Sequence, residues 1–299
     1  MKISIGSWAF AWGEYAASPI PFDRVVRRLA EVGYAGVEIC GFPPHVTLEA
    51  YPDAPSRREF VRMLGDLGLG VSGYAADFTS ANPVTGDKQK YLDLFRRNVE
   101  MCVDLGSPSI RVDSVAAPGS IPAADYEAAM MRLAEVWRQA AGIADEAGVL
   151  VVWEFEPGFA FNKPSEVIRL HEAVGHPNFK ILFDTSHAYM CSVVGARQHG
   201  EKETLPGGVA EFLDRLKGRI GHIHLIDSDG TLHDGETSTH RPFGEGLIAF
   251  AALAPKLLAI PGIHWWCVDL CFWPGAWDLV ETSRRFVADL LAKAQSGTA

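Results

Sequence analysis

Two short apolar segments in the middle of the chain each deliver a carboxylate near their carboxyl end. Residues 149–155 carry Glu154, and residues 180–183 run straight into Asp184. Both segments are rich in Val, Ile, Leu and Phe, which is typical of buried strands. Pro164 opens a segment between them that has apolar residues at helical spacing, so a helix is expected there. The pattern predicts a strand, helix, strand unit whose acidic groups lie where a strand gives way to a loop.

Other chemically active side chains follow the ends of further predicted strands. They are Glu38, Arg111, Asp113, Glu156, His187, His222, His224, Asp227 and Asp269. Three carboxylates crowded together raise one another's pKa values unless a cation compensates them, and a divalent metal ion is the simplest such cation. Ligation mainly by oxygen, with a single imidazole, favours Mn²⁺ or Mg²⁺, with Co²⁺ and Zn²⁺ as alternatives. The other interpretation is a set of ordinary ion pairs around the rim of the fold.

Apolar strand-like segments alternate with amphipathic helix-length segments along the whole chain. The predicted strands cover residues 3–8, 36–40, 69–74, 109–113, 149–155, 180–183, 220–226 and 264–270. The last two predicted helices cover about 247–258 and 277–292. Eight strands that are each followed by a helix predict an α/β fold, a (β/α)8 TIM barrel with its active site at the C-terminal ends of the strands. A doubly wound open sheet is the rival, but GSWAFAWG after the first strand lacks the spacing of a dinucleotide-binding turn.

The composition limits the class of protein. With 299 residues, of which 48% are hydrophobic, the chain can bury a large core, and we expect one domain over residues 1–299 with a short polar tail at about 294–299. The net charge of -10, without a dense Lys/Arg cluster, argues against nucleic acid as a ligand. The sequence shows neither a membrane-spanning segment nor a signal peptide, so a cytoplasmic protein is expected. The five scattered cysteines predict reduced thiols.

Four motifs in the second half follow one another in a specific order. They are a Glu at a strand end, DTSH, GHIHLID and RPFGEG. With these motifs the sequence resembles the xylose isomerase-like TIM barrel superfamily, the sugar phosphate isomerase/epimerase group that also includes ketose 3-epimerases, inosose dehydratases and abasic-site endonucleases. The resemblance extends over essentially the whole chain. It implies one metal ion held by Glu154, Asp184, His224 and Asp269, the last of which stands where the family has a Glu.

The choice of Glu154 over Glu156 as the metal ligand rests on the same resemblance. EFEPGFAFN matches without gaps the family pattern E-x-x-P-G ahead of an Asn, which puts Glu154 at the ligand position. Glu156 is the alternative ligand and would otherwise contact the substrate, because strand alternation puts both side chains on the same face. The resemblance also implies that His187 and Arg241 bind substrate. Their other interpretations are a capping or core histidine and a solvated loop arginine.

The abasic-site endonucleases of this superfamily use a three-metal cluster, with further histidines after strands two and three. The corresponding segments here, VEICGFPP and VSGYAADF, contain no histidine, although His240 matches one of the extra ligands. Together with the acidic net charge, the missing ligands argue against phosphodiester chemistry.

The resemblance implies that the substrate is a small keto-sugar. A divalent metal polarises the carbonyl, the α-proton becomes removable, and the metal stabilises the resulting enediolate. By resemblance, Glu154 and Asp269 are the acid/base pair on the two faces of the sugar. Because Asp269 is one methylene shorter than Glu, isomerisation or β-elimination by a keto-sugar or cyclitol lyase is the first alternative to epimerisation. The second alternative is a barrel that binds a sugar without turnover.

Aromatic residues follow several predicted strands at the same end as the acidic ones. They are Trp8, Phe10, Trp12, Phe159, Phe161, Trp273 and Trp277. Aromatic faces suit the C–H surface of a sugar, whereas a phosphate calls for basic donors. We therefore expect a non-phosphorylated sugar, with Trp8 and Trp12 among its contacts. The other interpretation is that the rings pack loops or a subunit interface, and a homo-oligomer is a further expectation.

Overall fold

Eight parallel strands form the centre of the computed structural model, which describes residues 1–297. The strands are β1 (Lys2–Ile5), β2 (Gly36–Cys40), β3 (Gly70–Ala75), β4 (Ser109–Val112), β5 (Leu150–Glu154), β6 (Phe179–Asp184), β7 (Ile220–Leu225) and β10 (Trp265–Val268). They are hydrogen-bonded in the order β1-β10-β7-β6-β5-β4-β3-β2. The two ends of this sheet meet where Gly6 bridges Glu38 and the Ala35 N–H donates to the Ile3 carbonyl oxygen at 2.9 Å. The predicted (β/α)8 TIM barrel is therefore confirmed.

Helices cover the outside of the barrel. They are α1 (Phe22–Val32), α2 (Ala54–Asp66), α3 (Lys88–Leu105), α4 (Tyr126–Glu146), α5 (Pro164–Val174), α7 (Gly208–Arg215), α8 (Phe250–Leu258) and α9 (Ala276–Ser296). The short helix α6 (Thr185–Tyr189) instead lies at the C-terminal end of the barrel, directly after β6. In α1 the apolar residues Val25, Val26 and Leu29 recur on one face and are buried. Gly33 ends that helix because it adopts a left-handed conformation, with φ at 88°, that costs glycine little.

The helix boundaries differ from the prediction mainly near the C-terminus. The helix predicted at about 247–258 begins at Phe250, and α9 continues to Ser296, into the predicted polar tail. Residues 298–299 of that tail lie outside the described residues. No helix within residues 1–297 combines the length and the apolar character needed to cross a membrane.

A short hairpin between β7 and α8 was not predicted. It consists of β8 (Leu232–His233) and β9 (Thr237–Ser238), which pair antiparallel with Leu232 opposite Ser238. Its segment, GTLHDGETST, is polar and lacks the alternation that predicts a half-buried strand. The hairpin lies at the end of the barrel that carries the predicted site, because Ser238 contacts His187 just after β6.

Packing between the barrel and the helices points the acidic side chains inward. Trp153 of β5 packs against Trp137 of α4, with ring centroids 5.3 Å apart, and both rings are fully buried. Burial of such a side chain stabilises the fold by about 1.5–3 kcal/mol. Successive side chains of a strand point to opposite faces, so anchoring Trp153 in the helical layer directs Glu154 into the barrel. Phe183, which packs against Phe212 of α7, fixes the direction of the following residue in the same way.

Candidate active site and metal centre

The four residues predicted as metal ligands lie together at the C-terminal end of the barrel. Glu154 ends β5, Asp184 ends β6, His224 lies in β7 and Asp269 directly follows β10. These strands are consecutive neighbours in the sheet, and Asp184 stands opposite His224 in the β6–β7 register. One potential ligand atom from each residue lies within 4.8 Å of those from the other three, and all four residues are buried. The structure thus brings the predicted ligand set together, and the role of these residues as ligands stays a prediction.

Several polar atoms of this cluster are buried without a hydrogen-bond partner. They include Oε1 of Glu154, Oδ2 of Asp184 and Nδ1 of His224. Nδ1 of His224 lies 3.0 Å from Oε1 of Glu154 and 3.4 Å from Oδ2 of Asp269, without hydrogen-bond geometry. Each buried polar group left unpaired costs about 1–3 kcal/mol, so their convergence indicates a place for a further partner. Three carboxylates and one imidazole form a donor set that fits a divalent cation.

Burial and neighbouring charges give the three carboxylates different pKa values. Burial raises the pKa of Asp184. Burial would also raise the pKa of Glu154, but Arg111 and His224 hold it at about 2. In the same way, neighbouring histidines hold the pKa of the buried Asp269 well below its usual range. Of the three carboxylates, only Asp184 therefore has a raised pKa, mainly because it is buried, whereas cationic neighbours compensate the other two.

Arg111 is a site residue for which the sequence predicted no role. It lies in β4, and its Nε is 2.6 Å from Oε2 of Glu154. Its Nη2 donates to Oδ2 of Asp113 at 3.5 Å, so the guanidinium is held by two carboxylates. The available signal was an arginine inside the apolar strand SIRV, because a buried arginine needs an acidic partner. Arg111 orients Glu154 and compensates its charge.

A cavity of about 330 Å³ lies at this end of the barrel. Its polar lining includes Arg111, Asp113, Glu154, Glu156, His187, Glu236, Thr237, His240 and Asp269. Its aromatic lining consists of Trp8, Trp12, Phe42, Phe78, Phe159 and Phe272. Apolar walls with a few converging polar groups are typical of a small-molecule site. The size and the lining suit a sugar-sized ligand.

Glu156 lies in this cavity but outside the four-residue ligand cluster. Its Oε2 accepts a hydrogen bond from the Thr237 hydroxyl and lies 3.9 Å from Nε2 of His187. Burial, together with the neighbouring Glu154 carboxylate, raises the pKa of Glu156 to about 7. A carboxyl group with that pKa can gain or lose a proton near neutral pH. Glu156 therefore faces the cavity from outside the cluster, and its role as a substrate contact, with Glu154 as the metal ligand, stays a prediction.

His187 links the ligand cluster to the hairpin. Its backbone N–H donates to Oδ1 of Asp184 at 2.8 Å, which caps α6, and its Nδ1 contacts the Ser238 hydroxyl at 2.8 Å. Burial lowers the pKa of His187 to about 3, so the ring is neutral. The ring of His240 lies 5.0 Å from that of His187, and Nδ1 of His240 is 3.4 Å from Oδ1 of Asp269. His187 thus presents a neutral imidazole to the cavity.

Trp8 holds Asp269 in place. Its Nε1 donates to Oδ1 of Asp269 at 2.7 Å, and the Cys271 backbone N–H donates to the same oxygen at 2.9 Å. A Cβ atom at Gly6 would lie 2.2 Å from the Trp8 ring, so the ring can occupy this place only because residue 6 is glycine. Trp8 also lines the cavity, at the end of the barrel where the sequence predicts it to contact the sugar. The same ring thus holds Asp269 and forms part of the cavity wall.

Loops from three strands form the aromatic rim of the cavity. Trp12, after β1, stacks on Phe272, after β10, with ring centroids 5.6 Å apart. Trp12 also meets Phe42, after β2, edge to face at 5.3 Å. His233 of the hairpin also stacks on Phe272, with their ring centroids 4.6 Å apart. The rim and the hairpin are therefore one continuous contact surface.

Arg241, the other residue implied to bind substrate, lies away from the cavity lining. Its Nε donates to Oδ2 of Asp229 at 2.6 Å, and its guanidinium lies over the ring of Trp273, 5.1 Å from the centroid. The side chain is about one third exposed. The guanidinium of Arg241 is thus already in contact with Asp229 and Trp273, and its role in substrate binding stays a prediction.

A (β/α)8 barrel with an acidic, histidine-containing cluster at the C-terminal ends of its strands defines the class of this protein. A sequence profile described as the xylose isomerase-like TIM barrel family matches residues 26–286. The chain therefore belongs to this family.

Comparison with individual proteins gives the same picture. The chain is 22% identical over 250 residues to a fructoselysine 3-epimerase of Shigella flexneri, covering 80% of this chain and 81% of the relative. A crystal structure of a D-tagatose 3-epimerase-like protein superimposes with a TM-score of 0.74, at 18% identity and complete coverage of both chains. A crystal structure described as the IOLI protein with a binding zinc atom gives a TM-score of 0.70 at 17% identity, covering 98% of this chain and 99% of that one. At these identities the structural likeness supports the fold.

Proposed function

We propose that the protein is a divalent-metal-dependent isomerase or epimerase that acts on a small, non-phosphorylated keto-sugar. The observation that carries this proposal is the convergence of Glu154, Asp184, His224 and Asp269 at the edge of a sugar-sized cavity. The similarity to a fructoselysine 3-epimerase and to a D-tagatose 3-epimerase-like protein supports the same reaction class. A cytoplasmic location, a single domain over residues 1–299 and a homo-oligomer stay predictions from the sequence.

The four clustered residues would hold the metal ion. The unpaired Oε1 of Glu154, Oδ2 of Asp184 and Nδ1 of His224 are the atoms offered to it, with a carboxylate oxygen of Asp269. When bound, the ion supplies Lewis-acid polarisation of the substrate carbonyl, which acidifies the adjacent C–H bond. Mn²⁺ remains the favoured ion because three of the four donors are carboxylates, and the zinc in a structural neighbour makes Zn²⁺ the first alternative.

The remaining polar residues of the cavity position the sugar and handle its protons. Glu154 offers Oε1 to the metal ion and holds Oε2 beside Arg111, which leaves Oε2 as the oxygen that can take the proton next to the carbonyl. Glu156, whose pKa is about 7, can exchange a proton with a substrate hydroxyl. His187 is neutral and can donate or accept one hydrogen bond at Nε2. Glu154 at the end of β5, Glu156 just after that strand and His187 of α6 thus provide for reaction at one face of the sugar.

Asp269 is less suited to proton transfer at the opposite face. Trp8 and the Cys271 N–H hold its Oδ1, and its side chain is one methylene shorter than that of Glu, so it reaches less far towards a substrate carbon. This observation favours a second candidate function, a one-faced reaction such as aldose–ketose isomerisation or β-elimination by a keto-sugar or cyclitol lyase. The same metal site would serve that chemistry.

The lining of the cavity supports a non-phosphorylated substrate. Among the described lining residues, the only lysine or arginine is Arg111, and its guanidinium already faces Glu154 and Asp113. A phosphate would need free cationic or N–H donors, which suit its charge and geometry. The aromatic walls instead match the C–H faces of a sugar.

Product analysis with a panel of ketoses tests the proposal. The metal-loaded protein is incubated with non-phosphorylated ketohexoses, ketopentoses, their phosphates and keto-cyclitols, and the products are separated by chromatography and identified by NMR. We expect a C3 epimer or an aldose from a non-phosphorylated ketose, whereas an unsaturated product would establish the lyase alternative. Tight sugar binding without any product would replace the enzyme with a sugar-binding barrel.

A further inference from the structure

A buried carboxylate lies beneath the metal-ligand cluster, inside the barrel. Glu38 of β2 is 1% exposed, and its Oε2 lies 2.6 Å from Nε2 of His222 and 3.0 Å from Nε2 of His224. A carboxylate can only accept hydrogen bonds. Both Nε2 atoms must therefore carry hydrogen and donate to Glu38.

This contact determines which nitrogen of His224 is free. An imidazole that binds a metal ion is neutral and carries one hydrogen, and Glu38 places that hydrogen on Nε2. Nδ1 is then left with its lone pair, and Nδ1 is the atom that lies 3.0 Å from Oε1 of Glu154 and 3.4 Å from Oδ2 of Asp269. We infer that Glu38 is a positioning residue, which fixes the ring of His224 with Nδ1 directed at the metal and increases its strength as a ligand. The inference rests on the metal site of the proposed function.

The surroundings of Glu38 keep its carboxylate in one place. A Cβ atom at Gly73 of β3 would lie 3.1 Å from Cδ of Glu38, so the strand beside it leaves room only for the carboxylate. His222 and His224 lie on the same face of β7 because they are two residues apart. His222 therefore donates from Nε2 to the same oxygen of Glu38, Oε2, as His224 does. Two donors on one oxygen define the orientation of the carboxylate better than one. A buried charge of this kind is costly unless it is paired, and both imidazoles pair it.

The measurement is the affinity of the metal-free protein for Mn²⁺ and Zn²⁺, by isothermal titration calorimetry. Glu38→Gln keeps the shape of the side chain but removes its negative charge, so metal affinity should fall by about 10- to 100-fold, as it does for other carboxylates that orient a metal-bound histidine. Glu166→Gln is the matched control. Glu166 is also a buried carboxylate with two donors, from Tyr126 and the Lys163 N–H, but it lies on α5 outside the cluster, and its change should leave affinity within about twofold.

The outcomes separate this inference from the proposed function. If the wild-type protein binds neither metal, the metal site fails and the inference fails with it. If the wild type binds metal and Glu38→Gln binds it equally well, only the role of Glu38 is refuted. Circular dichroism of both metal-free variants establishes that they are folded.

A spectroscopic measurement on the wild type covers the case in which Glu38→Gln does not fold. Protein labelled with ¹⁵N-histidine is recorded by NMR with and without Zn²⁺. We expect the ring whose signals change most on zinc loading to carry hydrogen on Nε2 and to bind zinc through Nδ1. Zinc bound through Nε2, with hydrogen on Nδ1, would refute the inference without any variant.

Discussion

The bottom and the top of the barrel mouth are built in different ways. We call the side chains at the strand ends the floor; they are Glu38, Glu154, Asp184, His222, His224 and Asp269. We call the β8–β9 hairpin with Trp12 and Phe272 the roof. The floor is fixed by strand register, with Asp184 opposite His224, whereas the roof is held by stacked rings and side-chain hydrogen bonds between loops.

This difference implies that the floor binds the metal ion and that the roof helps to hold the substrate. The floor contributes the unpaired ligand atoms, and its geometry cannot change without moving strands. The roof contacts two residues that lie between it and the floor: Thr237 donates to Glu156, and the Ser238 hydroxyl contacts His187. Changes in the floor should therefore weaken or abolish metal binding, and changes in the roof should alter how the substrate is held while the metal stays bound.

Replacement of Asp184 in the floor should have the largest effect. Asp184→Ala removes a ligand from the cluster, and we expect loss of bound metal and a fall in kcat/KM of about 10³-fold or more, measured by metal analysis and steady-state kinetics. The carboxylate also caps α6 through the His187 N–H. Asp184→Asn retains that cap and serves as the control, since it should keep the stability and still lose the metal. Full metal content in either variant would contradict the ligand assignment.

Glu156 stands between the two regions, and its replacement should come next. Glu156→Gln keeps the shape but cannot exchange a proton, so kcat should fall by about 10²-fold with metal content unchanged. Glu236→Gln, at the other acidic residue on the roof side of the cavity, is the matched control and should change kcat little. Loss of metal in Glu156→Gln would instead make Glu156 the ligand.

Metal affinity should rise with pH, because the floor holds protons that the metal displaces. Burial lowers the pKa of His224, but Glu38 and Glu154 outweigh it and raise that pKa well above the usual value, while burial raises the pKa of Asp184. Groups with raised pKa values stay protonated until the pH passes those values, so each proton released on binding strengthens affinity about tenfold per pH unit below them. Calorimetry at several pH values measures this slope, and a flat profile from pH 6 to 8 would contradict the protonated floor.

Changes in the roof should have the smallest effect. Thr237→Val removes the hydroxyl that donates to Glu156, and a lost hydrogen bond of about 0.5–1.5 kcal/mol lowers kcat/KM by about 2- to 12-fold. Thr231→Val is the matched control, because that exposed hydroxyl contacts Asp229 and Thr239 at the base of the hairpin. The metal content of both variants should equal that of the wild type. A metal-deficient Thr237→Val would abolish the distinction between roof and floor.

The floor was largely predictable from the sequence because it depends on short-range rules. Apolar periodicity located the strands, the barrel places every strand end at one mouth, and the resemblance to the family implied that Glu154, Asp184, His224 and Asp269 form one ligand set there. What the sequence could not show is which oxygen or nitrogen each group presents. The link from Glu38 to His224 joins residues 186 positions apart, and it depends on a register between strands that no local pattern encodes.

The roof could not be predicted, for a different physical reason. GTLHDGETST has neither the alternation of a strand nor the periodicity of a helix. In the folded structure it is held by contacts to His187, Glu156 and Phe272, which are distant in sequence. Trp8 illustrates the same limit. Its ring was expected at the mouth, but its hydrogen bond to Asp269 depends on the space at Gly6, which the sequence alone does not reveal.

Solvent exchange tests the central claim most directly, namely that the floor binds a metal ion which makes the α-proton of a keto-sugar removable. The protein is stripped with a chelator, reloaded with Mn²⁺ or Zn²⁺, and incubated with non-phosphorylated ketoses in deuterated water, and deuterium beside the carbonyl is measured by NMR. We predict incorporation with the reloaded protein, none with the stripped protein, and none with Asp184→Ala. Incorporation that is equally fast without metal, or none in any reloaded sample across the ketose panel, would contradict the account.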